Sequence, residues 1–381
     1  ELDSPRGRIW LMKDMLATPD QPPSARAVHH IDRCLTCLSC TTTCPSGVDY
    51  AHLIDAARAH IAATHTRPWA DRLLRAAVPR LLTHRALFRL ALRLGRLARP
   101  VAAWLPERLR ALLAMVPASL PAAGLAERRQ PPPVAQPKGR VILHLGCVQP
   151  VLRPAIDDAA LRLLARHGVA TVITRQSSCC GALDHHLGHG DPARRHAAAN
   201  IAAWEAAGEV DAILITASGC GTMVKDYAAL FADDPAMAAR ARAIAAKTLD
   251  ISEYLARLPP LPVVLPPGTA VAWHSACSLH HGQQVKATPP ALLAAAGFDV
   301  RLPAEAHLCC GSAGSYAILQ PDMSATLKAR KQAALAATGA TLVASSNIGC
   351  LQQIAGDALT TVHLVELLDW ASGGPKPAGV R

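Results

Sequence analysis

Cysteine is the residue type with the most chemistry to offer in this sequence, and its spacing repeats. Eight of the 12 cysteines fall into two sets of four, and each member of the second set lies 130 residues after its counterpart in the first (277 − 147, for example). The two sets are Cys147, Cys179, Cys180 and Cys220, and Cys277, Cys309, Cys310 and Cys350. A constant offset over four positions indicates an internal duplication. Four thiols are enough for one zinc ion or one iron-sulfur cluster in each unit.

The remaining four cysteines form one compact run. Cys34, Cys37, Cys40 and Cys44 precede Pro45 in the order Cys-x2-Cys-x2-Cys-x3-Cys-Pro. This is the spacing of bacterial ferredoxins, in which three thiolates bind one [4Fe-4S] cube and the fourth usually serves a second cluster. A zinc site would instead need two separated Cys-x2-Cys knuckles. Two hypotheses stay open: the chain, which opens on Glu1, is N-terminally truncated and the complete protein holds two clusters, or the four thiols hold one cube alone.

Short apolar runs precede the cysteines of the duplicated units and predict strands. They cover 141–145, 169–174 and 212–216 in the first unit and 270–273, 298–300 and 341–344 in the second. Alanine- and leucine-rich stretches at 155–166 and 192–207 lie between them and predict helices. Alternating strands and helices predict a parallel sheet. Because the loops after parallel strands meet at the carboxyl edge, we expect the four thiols of each unit to converge there.

Proline-rich segments divide the chain into domains. We predict an incomplete ferredoxin-type [4Fe-4S] domain at 1–66, a basic helical segment at 67–128, a linker at 129–139, and two cysteine-rich halves at 140–258 (half 1) and 269–373 (half 2). Each half closes on a similar segment, 250–255 or 363–368, which we expect to be helical. The fold class is therefore α/β, with a mostly helical N-terminal domain followed by two duplicated parallel-sheet halves.

Composition limits the kind of core that the protein can form and the compartment in which we expect it. Lys and Arg exceed Asp and Glu by 11, apolar residues make up 51% and aromatics 3% of the chain, so the core will be mostly Ala, Leu and Val. Vicinal cysteines and tight Cys-x2-Cys runs suit metals better than disulfides, which indicates a reducing compartment and a cytoplasmic location. The sequence opens on no signal peptide, and Pro117 and Pro121 interrupt the longest apolar run, 111–126, so a membrane span is not expected.

The segment 67–110 is helical in period and strongly basic. Against Asp71 and Glu107 it carries eleven arginines: Arg67, Arg72, Arg75, Arg80, Arg85, Arg89, Arg93, Arg96, Arg99, Arg108 and Arg110. We expect most of them to form the solvated face of helices that pack on the ferredoxin part. Peripheral contact with an anionic membrane on the inner face of the cell membrane is the alternative. Nucleic acid is not an expected partner, because no recognised binding motif or aromatic platform accompanies the charge.

Several histidines lie near the duplicated cysteines. They are His144, His274, His280, His281 and His307 in the halves, and His185 and His186 after the first cysteine pair. Each is able to donate a hydrogen bond to a cluster sulfur or to relay a proton. Taken singly, each is better explained as an ordinary polar or core residue.

The duplicated Cys…Cys-Cys-Gly…Cys pattern resembles the cysteine-rich domain of heterodisulfide reductase and its relatives. Segments 1–9, 217–223, 308–316 and 346–350 are similar to the iron-sulfur subunit of glycolate oxidase, and the similarity spans nearly the whole chain. In the full motif the last cysteine is followed by another three positions on, where this chain has Met223 and Gln353. That departure weighs against the non-cubane cluster of the relatives, and leaves zinc, a cubane or a metal-free relic.

The resemblance implies an electron-transfer subunit of a glycolate oxidase or dehydrogenase complex. A partner subunit would hold FAD, oxidise glycolate to glyoxylate and pass electrons through this chain towards a quinone-type acceptor. The sequence has no Gly-x-Gly-x-x-Gly after a strand, so we expect no flavin, nicotinamide or catalytic residue on this chain. Three alternatives remain: a subunit for lactate or glycerol 3-phosphate oxidation, a disulfide reductase like the heterodisulfide reductases, or a zinc-holding scaffold.

Overall fold

The computed structural model describes residues 1–18, 20–104, 110, 113 and 115–380. Its N-terminal part is helical, as predicted. The helices span Pro5–Ala17, Ala25–Asp32, Ser39–Thr43 and Tyr50–Thr64. Ser4 and Ser24 cap the first two by accepting hydrogen bonds from backbone amides of the first turn. Leu11, Ile31 and Ile61 form part of a small core of their own between these helices.

The basic segment folds into helices Trp69–Thr83 and Arg85–Ala98 and a 3-10 helix, Arg99–Trp104. Arg67 and Arg75 both pair with Asp32 in the N-terminal part, at 2.6 and 2.9 Å. Arg85 donates to the Gly146 carbonyl of half 1, so these arginines tie the segment to its neighbours. Arg108 and Glu107 lie outside the described residues, as do 111, 112 and 114 of the apolar run. No helix in the described part of the chain is long and apolar enough to cross a membrane.

Each cysteine-rich half contains a four-stranded parallel sheet. The strands are β1 (Gly139–His144), β2 (Val169–Val172), β3 (Ala212–Ile215) and β4 (Thr248–Asp250) in half 1, and β5 (Ala270–Trp273), β6 (Asp299–Arg301), β7 (Leu342–Ser345) and β8 (Thr360–His363) in half 2. The orders, β2-β1-β3-β4 and β6-β5-β7-β8, are equivalent. The parallel sheets are confirmed, but the sequence analysis found only three strands in each. It missed β4 and β8 because these short strands run directly into helices whose signal dominates.

Helices pack on these sheets. They span Leu125–Arg128, Gln149–Leu152, Pro154–Arg166, Ala182–His185, Gly190–Ala206, Ser218–Lys225, Tyr227–Leu230, Pro235–Lys247 and Ile251–Leu255 up to the end of half 1, then Thr288–Ala295, Tyr316–Leu319, Pro321–Ala336, Ile348–Ile354 and Leu364–Ala371, with a π-helix at Ser278–Gly282. The two closing helices begin with equivalent capping boxes, Asp250 with Glu253 and His363 with Glu366.

The two halves pack against each other through hydrogen bonds and one buried ion-pair cluster. The Ser218 amide donates to Ser346 O at 3.0 Å, and the His363 ring donates from Nε2 to Thr216 O at 2.8 Å. Asp369, which is 1% exposed, pairs with Arg162 and Arg166 of half 1. The carboxyl edges of both sheets therefore lie near one seam.

Candidate metal centres

The ferredoxin-type run forms a tight loop in front of helix Ser39–Thr43. Thr36 and Leu38 adopt left-handed φ angles of 53° and 61°, which turn the backbone back between successive cysteines. Arg58 fixes the loop by donating to Cys34 O and to Thr36 Oγ1, both at 2.6 Å. Tyr50 Oη and the Thr36 amide point at Cys34 Sγ from 3.7 and 3.5 Å. A thiolate at Cys34 would therefore have two hydrogen-bond donors to stabilise its negative charge.

This loop lies against half 2. Thr42 Oγ1 is 2.7 Å from His281 Nδ1, and Tyr316 Oη donates to Arg33 O at 3.2 Å. Burial raises the pKa of Cys37 to about 11, and the nearby thiols Cys309, Cys34 and Cys40 add to the increase. The structure therefore brings a cysteine of the ferredoxin-type run together with the thiols of half 2.

Cys44 lies apart from this contact. Hydrogen bonds from the backbone amides of Val48 and Ser46 lower the pKa of its thiol. Cys40 and Cys44 also line a pocket together with Pro5 and Arg6. The run therefore presents Cys37 to half 2 and Cys44 to a different surface.

In half 1 the four predicted cysteines converge at the carboxyl edge of the sheet. Cys147 Sγ and Cys179 Sγ are 3.8 Å apart, and hydrogen bonds from the Cys179 and Cys220 thiols lower the pKa of Cys180. The loop is held by Asn200, which accepts from the Ser178 amide at 3.0 Å and donates to Cys179 O at 2.8 Å.

Half 2 repeats the arrangement. Cys277 Sγ and Cys309 Sγ are 3.9 Å apart, and Cys310 Sγ donates to Cys350 Sγ at 3.4 Å. That hydrogen bond, helped by the nearby His274, lowers the pKa of Cys350 to about 6. Cys309, Cys310 and Cys350 are all buried. The convergence of each four-thiol set agrees with the expectation from strand order.

A buried lysine distinguishes half 2. Lys331 is 0% exposed and donates from Nζ to Glu305 O at 2.9 Å. Burial lowers its pKa, and negative charge on Cys310, Cys309 or Cys350 opposes that decrease. The counterpart 130 residues earlier is Ile201, a core residue. Half 2 therefore has a built-in cation beside its thiols, and half 1 has none at that position.

The predicted histidines separate into three groups. His144 and His274 end the first stretch of each half and are buried beside the thiols. His185 and His186 face Asp55 of helix Tyr50–Thr64 at 3.2 and 3.1 Å, so they join the N-terminal part to half 1. His280 Nδ1 lies 3.2 Å from Ser275 Oγ. His281 contacts Thr42, and the structure gives His307 no role as a thiol neighbour among the described residues.

Sequence analysis missed the residues that hold the thiol loops. Arg58, Asn200, Tyr227 and Lys331 sit inside helical stretches that predict ordinary helix faces. The one available signal is the polar residue at an otherwise apolar helix position, as Asn200 is between Ala197 and Trp204. Such a residue is buried at a cost unless it has hydrogen-bond partners.

Comparison with known proteins places these centres in a family. The model of the Cysteine-rich domain (CCG) matches residues 141–225 and 271–355, which contain all eight cysteines of the two halves. A crystal structure of a hypothetical protein from Helicobacter pylori shares the fold, with a TM-score of 0.61 and 10% identity over 97% of this chain and 67% of that one. The chain is thus a duplicated CCG-domain protein.

Relatives along the whole chain define it more closely. It is 36% identical to the glycolate oxidase iron-sulfur subunit of Escherichia coli (strain K12), over 97% of this chain and 88% of that one. It is 33% identical to the probable glycolate oxidase iron-sulfur subunit of Bacillus subtilis (strain 168), over 98% and 89%. Lactate utilization protein A of an Exiguobacterium species is 27% identical over 60% of this chain. The chain belongs to the family of glycolate oxidase iron-sulfur subunits.

Proposed function

We propose that this chain is the electron-transfer subunit of a complex that oxidises glycolate to glyoxylate. The observation that carries the proposal is the contact of the ferredoxin-type loop with half 2, in which Thr42 meets His281 and Tyr316 meets Arg33, so that one thiol set lies next to a second in the protein interior. A chain built only to hold structural zinc has no need for two adjacent sulfur centres. The full-length match to glycolate oxidase iron-sulfur subunits supports the same assignment.

The residues of the ferredoxin-type run fit a [4Fe-4S] cluster held by Cys34, Cys37 and Cys40, with Cys44 as a ligand of the same or a second cluster. When bound, such a cluster supplies one-electron chemistry, which matches a flavin able to release electrons singly. Tyr50 and the Thr36 amide would stabilise the charge on Cys34 Sγ, and Arg58 would hold the loop in place. The eight cysteines of the halves would hold a further cluster or zinc.

The chemistry of substrate oxidation would then belong to partner subunits. We place the flavin and the glycolate site on a separate dehydrogenase subunit, and the acceptor, a quinone, beyond this chain. The sequence carries no dinucleotide-binding fingerprint, and its buried thiol sets are suited to receiving electrons rather than to binding a 2-hydroxy acid. This chain would take part in catalysis as a conductor between the two sites.

The exposed face of helix Arg85–Ala98 supports peripheral contact with an anionic membrane surface. Leu87, Leu90, Leu94 and Leu97 follow one another at helical spacing and are 49–77% exposed, while Phe88 and Leu92 on the opposite face pack on Val151. Trp69 and Trp104 of the same basic segment are also exposed, and Arg93 precedes Leu94 on the helix. An exposed leucine stripe on a basic helix suits the interface of an anionic bilayer.

The function is tested with the purified complex. We expect Cys37→Ser to leave glycolate-dependent flavin bleaching in place while electron delivery to a quinone analogue falls by about 100-fold or more, since a broken relay removes only the second step. The matched control is Ser46→Ala, an exposed substitution that removes no thiol and keeps the backbone amide that faces Cys44. Lactate and glycerol 3-phosphate are assayed beside glycolate. Preference for either one, or full activity of the Cys37 variant, would contradict the proposal.

Membrane contact is tested separately with sedimented vesicles. The wild-type chain should bind vesicles of phosphatidylglycerol more tightly than vesicles of phosphatidylcholine, and Leu94→Gln with Leu97→Gln should reduce binding about tenfold or more, because two exposed leucines would no longer enter the bilayer. Leu53→Gln, an exposed leucine on another helix, is the control. Equal binding by all variants would exclude this surface.

A further inference from the structure

Each half places a histidine at the end of its first strand or directly after it. His144 and His274 are 130 residues apart, the offset of the cysteine sets, and both are buried, at 2% and 1% exposure. Within the described residues neither ring nitrogen of either side chain has a hydrogen-bond partner. A buried imidazole without hydrogen-bond partners lowers the stability of the fold unless another group bonds to its ring nitrogens. The duplication thus keeps a histidine that is destabilising by itself in both halves.

Only the second histidine converges with the thiols. His274, Cys310 and Cys350 each offer a ligand atom within 4.8 Å of the other two, and the described residues of half 1 contain no such group around His144. His144 instead meets Trp204 edge to face, with ring centroids 5.4 Å apart. The equivalent of Trp204 in half 2 is Ala334, which leaves the imidazole without that aromatic neighbour. The two histidines therefore have different surroundings.

The spacing of the thiols in half 2 fits coordination by a shared metal. A tetrahedral site with metal–sulfur bonds of about 2.3 Å places its sulfurs about 3.8 Å apart. The Sγ atoms of Cys277 and Cys309 are 3.9 Å apart and those of Cys310 and Cys350 3.4 Å. Imidazole is a common ligand beside thiolates in such sites, and zinc and iron both accept the combination.

We propose that His274 is a metal ligand in half 2, where its imidazole completes a donor set of thiolates that includes Cys310 and Cys350. The metal is one that takes mixed nitrogen and sulfur ligands, either zinc or an iron of a cluster. This inference deepens the proposed function, on which it rests only in that half 2 holds a metal centre. Lys331 favours it, because a buried cation offsets the charge of several thiolates.

The Gln353 side chain supports the assignment from the other side of the site. Three positions after Cys350, it donates from Nε2 to Ser324 Oγ at 2.9 Å. It is thereby committed to helix Pro321–Ala336, and Ser324 in turn donates to Gly311 O at 2.9 Å. The amide holds the cysteine loop, and among the described residues the non-thiol side chain that converges with Cys310 and Cys350 is His274.

The test uses the full chain, purified without oxygen, and compares His274→Gln, His274→Cys and the matched variant His144→Gln. Iron and zinc are counted, and ¹⁵N-histidine labelling reports the metal–nitrogen bond: hyperfine coupling in pulsed EPR if the metal is iron, a nitrogen shell in X-ray absorption if it is zinc. We expect His274→Gln to lower metal affinity in half 2 at least tenfold. His274→Cys should keep the metal and lose the nitrogen signal, and His144→Gln should keep both.

Three results would overturn the inference. They are a wild-type chain without a metal–nitrogen signal, a His274→Cys variant that keeps that signal, and metal content that stays the same when Cys310 is replaced by Ser. Circular dichroism of each variant separates metal loss from unfolding, and the labelled wild-type chain gives an answer even if His274→Gln does not fold. None of these readouts needs glycolate or a partner subunit, so the proposed function is able to fail while this inference holds.

Discussion

Half 1 and half 2 share one fold and one set of thiol positions, yet they hold their thiols by different means. In half 1 a neutral network does so: Asn200 and Tyr227 bond the carbonyls of Cys179 and Cys180. In half 2 a buried charge, Lys331, lies near the sulfurs, and His274 converges with Cys310 and Cys350. The comparison indicates that the cysteine spacing decides where the four thiols meet, whereas the neighbouring side chains decide how much negative charge on those thiols is stabilised.

The halves also differ in what covers them. Position 186 of half 1 and position 316 of half 2 are equivalent, and both anchor the N-terminal part: His186 through Asp55 at 3.1 Å, Tyr316 through Arg33 O at 3.2 Å. The first contact reaches a helix, whereas the second reaches the cysteine loop itself. Half 2 is therefore the half that contacts the ferredoxin-type run directly.

The largest expected effect on stability comes from a substitution that breaks the neutral hydrogen-bond network of half 1. Asn200→Ala leaves the Ser178 amide and the Cys179 carbonyl without partners in the interior, which should lower the free energy of unfolding by about 3 kcal/mol. Urea denaturation measures it. Arg330→Ala, at the equivalent exposed position of half 2, should leave the midpoint nearly unchanged. A similar loss from both substitutions would mean that the halves are held alike.

The second prediction removes the buried cation. Lys331→Met keeps most of the side-chain volume but deletes the charge near Cys309, Cys310 and Cys350. We expect metal affinity in half 2 to fall by about 10- to 100-fold, as for other groups that support metal ligands. Competition with a chelator measures it. Ile201→Met makes the same residue at the matched site of half 1 and should change nothing; equal losses in both variants would refute a role for the charge.

The third prediction concerns the residues that cap the closing helices. Burial raises the pKa of Asp250 to about 6 and lowers that of His363 to about 4. The folded-state pKa of Asp250 is higher than its pKa in the unfolded chain, so the stability it contributes is lost as pH rises towards 6. The folded-state pKa of His363 is lower than its pKa in the unfolded chain, so the stability it contributes is complete above about pH 6.5 and is lost as pH falls towards 4. The two capping residues therefore contribute to the pH dependence of stability with opposite sign.

Unfolding at pH 5.5 and 7.5 checks these signs. The stability lost in His363→Asn should be about 1 kcal/mol smaller at pH 5.5 than at pH 7.5, because the wild-type chain is itself weakened by acid there. The loss in Asp250→Asn should be smaller at pH 7.5 by a similar amount. Equal losses at both pH values, or slopes of the same sign, would show that burial does not shift these groups as described.

The smallest expected effect concerns the anchor on half 2. Tyr316→Phe removes one hydrogen bond, from Tyr316 Oη to Arg33 O, and should cost about 0.5 to 1 kcal/mol in unfolding. Tyr254→Phe is the control, because within the described residues the Tyr254 hydroxyl makes no hydrogen bond. Protection of Arg33 from trypsin gives a second readout. If neither changes, the loop is held by packing rather than by this bond.

The sequence predicted most of what positions the centres. Strand order and the 130-residue offset were enough to bring Cys147, Cys179, Cys180 and Cys220 together, since parallel strands leave no other place for their loops. The missed features depend on tertiary contacts. Nothing in the sequence around Lys331 distinguishes it from a lysine on the exposed face of a helix, and Thr36 adopts a left-handed conformation that a glycine at that position would have predicted. The pairing of Cys37 with half 2, rather than half 1, depends on a docking surface that periodicity does not encode.

The contact between the ferredoxin-type loop and half 2 has a consequence for maturation. Cys309, Cys310 and Cys350 are buried under that loop and the helices beside it. A metal or cluster bound by these thiols, as proposed above, would have to reach them before the N-terminal part docks on half 2, or after it detaches again. The fold thus predicts an order of assembly in which half 2 is loaded before the ferredoxin-type run docks over it.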